Sequence, residues 1–220
     1  MTLLPHSARA GLMAALLLAL ITAASTNFNR ILQLAEQRYG QPGLEMLSQW
    51  QLLLNDSSSL SEQQKLDRIN HFFNQHIQWQ TDQSIWQMDD YWATPLESMG
   101  ISKGDCEDFT IAKYISLLAL DVPINKLRIT YVRAVIDQQP QAHMVLSYYA
   151  SPDAEPLILD NVTPTILPAS QRSDLTPVYS FNSDGLWLGG ASQSSGRKPG
   201  VVLSRWRNLL FRLQTDGFDL

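Results

Sequence analysis

The sequence predicts an α+β fold in which N-terminal helices lead to a central helix packed on an antiparallel sheet. Three observations carry this. Apolar residues recur at helical spacing early in the chain, clearest at Leu66, Ile69, Phe72 and Phe73. A second helical run begins at Cys106, after Gly104-Asp105, and aligns Ile111, Ile115 and Leu118 on one side. Beyond Pro123 the pattern changes to strand-like runs at 127–135, 143–149 and 156–160, and the short turns between them favour antiparallel pairing. With 220 residues, 45% of them hydrophobic and 17% charged, the chain can bury one core without staples, so 25–220 is expected as a single domain. A formal net charge of -5 leaves no broad basic surface and argues against a nucleic-acid partner.

Met1 to Ala10 contains Arg9, His6 and no acid; Gly11 to Ile21 is almost wholly apolar; Thr22-Ala23-Ala24-Ser25 supplies small residues. This is the pattern of a secretory signal peptide over 1–24, cut after Ala24. A retained anchor is the rival, but the apolar run is shorter than the ~20 residues a bilayer core demands. Export leaves Cys106, the only cysteine, without an intramolecular disulfide partner. Such a thiol is a buried small hydrophobe, an unpaired remnant or a nucleophile. The acids around it, Asp105, Glu107 and Asp108, are costly to bury, so Cys106 is expected close to solvent in a cleft.

Residues 26–39 read as a first helix stopped at Gly40, and 44–54 as a second, with Leu44, Leu47, Leu52 and Leu53 on its apolar side. The third helix has two capping-box starts, Ser59 with Glu62 or Ser61 with Gln64. Its His71 and His76 are expected at the surface or the helix end, and no H-x-x-x-H or H-E-x-x-H spacing argues for zinc. Residues 77–100, rich in aromatics and acids, read as loop and short pieces; Trp92 is singled out there as a cleft residue or indole N–H donor to an oxyanion. The helix from Cys106 runs to about Leu120, where Asp121-Val122-Pro123 stops it. A turn is expected at 136–141. Alternation then puts His143, Val145 and Ser147 on one face of a strand and Met144, Leu146 and Tyr148 on the other. Past Asn161 the prolines at 164, 168 and 177 suggest loops and short strands, and Gly189 to Gly200 a mobile loop. Residues 203–213 form an amphipathic helix, with Trp206, Leu209, Leu210 and Leu213 opposite Arg205, Arg207 and Arg212. It is expected to pack on the body in preference to a membrane surface. No internal repeat is visible.

Cysteine at a helix start, then histidine and aspartate on successive strands, is the order a papain-like or transglutaminase-like cysteine proteinase core needs. The free N–H groups of a first helical turn favour a thiolate. In that scheme His143 takes the Cys106 proton, Asp160 fixes the imidazole tautomer, and the thiolate forms a thioester that water resolves. The Cys106 N–H is the natural first oxyanion donor. The three neighbouring carboxylates, favourable to the helix start, should raise the thiol pKa. A bound divalent cation resolves this conflict, and oxygen-only ligands outside the cytoplasm make calcium the first candidate. Asp105 and Glu107, as alternate residues, are expected to turn away from Cys106 and to hold the ion. Asp108 is a further possible ligand, with carbonyls, waters or residues of the 86–92 segment completing the shell.

Asp90-Tyr91-Trp92-Ala93-Thr94-Pro95, Gly104-Asp105-Cys106-Glu107-Asp108-Phe109, Ala142-His143-Met144-Val145-Leu146, Leu159-Asp160-Asn161 and Pro177-Val178-Tyr179-Ser180-Phe181-Asn182 together resemble the bacterial transglutaminase-like cysteine proteinases, in family order and over nearly all of the mature chain. The resemblance implies a triad at Cys106, His143 and Asp160, with calcium dependence through Asp105 and Glu107. It also implies a periplasmic endopeptidase that clips a large surface adhesin near its N-terminus at a paired-alanine site and frees the cell from a biofilm. The implied inhibitor is an inner-membrane cyclic di-GMP receptor, whose periplasmic domain sequesters the protease. Two other activities fit the same residues: acyl transfer to an amine, and a non-catalytic binding module of this fold, against which the intact triad argues.

Overall fold

The computed structural model describes residues 27–218; the expected signal segment, 1–24, lies outside the described residues. Among these, no helix is long and apolar enough to cross a membrane. Helix α1 (Phe28–Ser57) is two helical runs joined by a kink at Gly40, whose φ of 67° suits glycine, with Pro42 just beyond. This is the break the sequence marks. Helix α2 (Glu62–His76) starts from the Ser61–Gln64 capping box, the second of the two candidates, and buries Leu66, Ile69, Phe72 and Phe73.

The stretch after α2 is more regular than loop and short pieces. Strand β1 (Gln78–Trp79) pairs in parallel with β2 (Lys103–Gly104), and one turn of helix, α3 (Asp82–Ile85), follows β1. Helix α4 (Pro95–Ile101) begins at a Thr94–Glu97 capping box with Pro95 in its first turn. Thr94-Pro95-Leu96-Glu97 carries that start signal in full; the aromatic crowding around it hides the helix from a periodicity search. Helix α5 (Cys106–Ala119) is the expected central helix, buried along Phe109, Ile111, Ile115 and Leu117.

Among the described residues the main sheet has six strands, all antiparallel, in the order β6 (Leu167–Pro168), β5 (Leu157–Leu159), β4 (Gln139–Tyr148), β3 (Leu127–Ile136), β7 (Leu175–Phe181) and β8 (Leu186–Leu188). The β3–β4 hairpin turns within two residues, Asp137 (φ 51°) and Gln138 (φ 64°), so its ladder continues to Ile136↔Gln139. Left-handed geometry at both positions matches the twist of the flanking strands and replaces the longer turn expected at 136–141. Alternation along β4 holds. Met144, Leu146 and Tyr148 enter the main core with α5, while Val145 joins Val132, Ala134 and Ile158 on the opposite face.

A short helix, α6 (Pro199–Val202), precedes α7 (Ser204–Asp216), which packs Trp206, Leu209 and Leu213 into the body. Arg205 and Arg207 stay exposed as expected. Arg212 does not. Its guanidinium donates to the Tyr91 hydroxyl (2.8 Å), the Glu97 carboxylate and the Trp92 carbonyl, acceptors half-buried under the helix that require a donor.

Candidate active site

Asp160 follows β5 directly and lies beside β4. Its Oδ1 is 2.8 Å from His143 Nε2 and accepts the Val162 N–H at 3.0 Å, while its Oδ2 accepts from Arg172 Nη2 at 2.7 Å. Both members of the pair are buried, His143 to 3% and Asp160 to 1% exposure. Burial alone would raise the Asp160 pKa. The hydrogen bond and charge of His143, the Val162 amide and Arg172 outweigh it and hold the carboxyl well below the ordinary range. Asn74 on α2 ties the backbone in place: its Nδ2 donates to the Asp160 carbonyl (2.8 Å) and its Oδ1 accepts from buried Lys113 Nζ on α5 (2.8 Å). With Nε2 committed to Asp160, Nδ1 is the ring nitrogen left for other chemistry.

Strand β5 pairs with β4 only from Leu146 onward, which leaves the Met144 backbone to α5. The Thr110 hydroxyl lies 3.0 Å from the Met144 carbonyl and 2.8 Å from the Cys106 carbonyl one turn earlier, sharing its proton between them. Cys106, half-buried at the first position of α5, therefore lies against the strand segment that carries His143. Its thiol donates to Glu107 Oε2 at 2.9 Å. This corrects the expectation that Glu107 turns away, because the flexible glutamate side chain folds back onto the sulfur. Burial and Glu107, with a smaller contribution from Asp105, push the thiol pKa well up, and the Met144 backbone acts in the opposite direction.

The acids do not all stay near solvent. Asp108 is buried, its Oδ1 accepting from the Ala93 N–H (2.7 Å) and its Oδ2 from the Asp105 N–H (3.3 Å), so two amides offset its desolvation. Gly104 makes room for this: a Cβ there would lie 2.8 Å from both Cβ and Oδ2 of Asp108. Asp82, at the start of α3, also points into the cluster. Asp82 with Asp90 and Glu107, and Asp82 with Asp105 and Asp108, bring carboxylate oxygens within 4.8 Å of one another. Burial first, then Glu107 and Asp90, raises Asp82 to about 6; burial, Glu107 and Asp108 raise Asp105 to about 10. Asp82 Oδ1 and Asp105 Oδ1 are buried with no hydrogen-bond partner among the described residues. Converging, orphaned carboxylate oxygens are a donor set that fits a hard divalent cation such as calcium.

Sequence reasoning singled out Asp105, Glu107 and Asp108 and looked to 86–92 for the remainder, where Asp90 lies. It missed Asp82, Arg172, Asn74 and Lys113, which reach the site from separate elements with no motif spacing to mark them. Trp92 is buried and stacked on Phe181 (5.8 Å between ring centroids, 12° between planes). Its indole N–H serves Asp90, whose pKa burial raises against the opposing charge of Arg205 and the smaller effect of this hydrogen bond. His71 and His76 lie on α2, and His76 Nδ1 is bound to the Phe72 carbonyl of its own helix at 2.8 Å.

A family model described as bacterial transglutaminase-like cysteine proteinase matches residues 52–181. No curated protein matches the chain. Among solved structures, Legionella pneumophila LapG is 40% identical, with 87% of this chain and 99% of that one covered and a TM-score of 0.73. Its EGTA-treated form gives 40% identity, coverage of 87% and 100%, and a TM-score of 0.74. Its calcium-bound form gives 41%, coverage of 84% and 98%, and a TM-score of 0.74. A thiol at a helix start, on a core matched in sequence and in fold to cysteine peptidases, makes this protein a cysteine protease: the chain belongs to the bacterial transglutaminase-like cysteine proteinases.

Proposed function

We propose that the protein is a calcium-dependent periplasmic endopeptidase with Cys106 as nucleophile, His143 as base and Asp160 as its orienter. The observation that carries this is the buried 2.8 Å hydrogen bond between His143 and Asp160, one residue from the Met144 backbone that meets the Cys106 turn. Asp160 accepts the Nε2 proton, so Nδ1 presents the lone pair that takes the thiol proton. The thiolate adds to the scissile carbonyl, and the Cys106 N–H donates to the oxyanion. The imidazolium then protonates the leaving amine, and a water deprotonated by His143 hydrolyses the thioester. Trp92 is the residue we assign to the wall of the cleft.

Asp82, Asp90, Asp105 and Glu107 are the residues we assign to the ion, with Asp108 held to the backbone beside them. Among the described residues only Asp90 of these has a cation beside it, Arg205 at 2.9 Å, and bound calcium would supply the positive charge for the others next to the thiol. The calcium-bound form of the similar LapG supports this choice of metal.

We assign as substrate the N-terminal region of a large surface adhesin, cut at a paired-alanine site so that the adhesin is released and a biofilm disperses. The partner we assign is the periplasmic domain of an inner-membrane cyclic di-GMP receptor, which holds the protease away from its substrate. A signal peptide over 1–24, removed on export, accords with that compartment. The support is the set of sequence blocks that resemble the family. The test is incubation of the mature protein with the N-terminal segment of a co-encoded giant adhesin and a labelled amine, alongside Cys106→Ala and a chelator-treated sample. Cleavage by the untreated protein alone supports the proposal; cleavage by Cys106→Ala refutes the nucleophile, and amine incorporation without cleavage refutes hydrolysis.

A further inference from the structure

The sheet face opposite α5 carries a cavity of about 300 Å³, at the small end of ligand-pocket sizes. Val132, Val145, Ile158 and Leu175 supply apolar wall, and Thr130 and Ser147, bonded to each other at 2.7 Å, add hydroxyls to its lining. Arg172 closes one side and is 4% exposed. Its Nε and Nη2 are used by Asp174 and Asp160 (3.0 and 2.7 Å), whereas Nη1 is buried without a partner among the described residues. A buried guanidinium N–H without an acceptor is costly, and a ligand oxygen in the adjoining cavity would relieve it. Charge restricts the ligand. Among the described residues, Arg172 is the only basic one lining the cavity; it already faces two carboxylates, while Asp153 adds a third at the wall. A further anion would face an excess of negative charge; a neutral acceptor would not.

We propose that this cavity binds a small, uncharged, mainly apolar molecule bearing one carbonyl oxygen, an amide or ester, which accepts from Arg172 Nη1. Occupancy is transmitted to His143 through the Arg172–Asp160–His143 hydrogen bonds, a coupling whose effect on catalysis rests on the triad reading above. Hexanamide is a suitable probe, titrated into the mature protein labelled at valine, leucine and isoleucine methyls and at histidine rings, in calcium and without substrate. The expected result is saturable shifts at Val132, Val145, Ile158 and Leu175 and at the His143 ring. Hexanoate, whose charge opposes those carboxylates, should bind at least about tenfold more weakly. Ala169→Trp, which fills the cavity, and Ala191→Trp at its wall, as a second choice should the first fail to fold, should abolish the shifts.

Absence of saturable shifts overturns the proposal, as would occur if the cavity takes only a protein side chain. So do shifts that persist in the filled variant, or hexanoate binding as tightly as hexanamide. Methyl shifts with a silent His143 overturn the transmission and uphold the site. Because these readouts need no turnover, a protein that binds hexanamide but cleaves nothing would instead count against the peptidase reading.

Discussion

Asp160 Oδ1 lies 2.8 Å from His143 Nε2, both side chains buried, and this fixes which imidazole nitrogen can serve as a base. Replacing Asp160 with alanine should lower kcat by roughly 10²–10⁴-fold with little change in KM. Asparagine, which keeps an acceptor oxygen, should recover part of the loss. Steady-state kinetics on an adhesin-derived peptide would check both.

Arg172 occupies the other oxygen of the same carboxylate at 2.7 Å. Arg172→Met should cost about 3–5 kcal/mol of stability, because it leaves Asp160 charged, buried and half-paired. Arg172→Lys should lie between the two, since a point charge replaces the planar fork. Urea unfolding midpoints decide the order.

Lys113 gives a pH signature. Burial is the chief cause that lowers its pKa to about 7. Between pH 7 and 9 the folded chain therefore holds less of this proton than the unfolded chain, whose lysine stays charged to about 10.4. Stability should rise with pH across that window by up to about 1.4 kcal/mol per unit from this group. Below pH 7 both states are protonated, so the full penalty stays and the slope vanishes. Urea unfolding from pH 6 to 9 should show the rise in the native protein and its loss in Lys113→Met.

The acid cluster predicts more than the cysteine block does. Asp82→Asn should weaken calcium binding at least about tenfold, about 1.4 kcal/mol, although Asp82 is remote from Cys106 in sequence. Chelation should lower the thermal midpoint of the native protein, with a smaller drop in the variant. Calorimetric titration of calcium measures the first effect and thermal scanning the second.

The helix start at Cys106, the alternation that separates His143 from Met144 and the terminal helix were legible because each is written in consecutive residues. Cys106, His143 and Asp160 stood out by type and order. Asp82 and Arg172 did not: one comes from a single helical turn and the other caps a three-residue 3-10 turn after a two-residue strand, and neither leaves a periodic trace. The fold-back of Glu107 onto the thiol was missed for another reason. Alternation is a rule for strands, and a long side chain in the first turn of a helix is free to reach its neighbour.

The most direct test is the rate at which iodoacetamide alkylates Cys106 in calcium at pH 7, with and without His143. If His143 draws the thiol proton, His143→Ala should slow alkylation on the order of tenfold or more. Equal rates in the two proteins would contradict the pairing of Cys106 with His143.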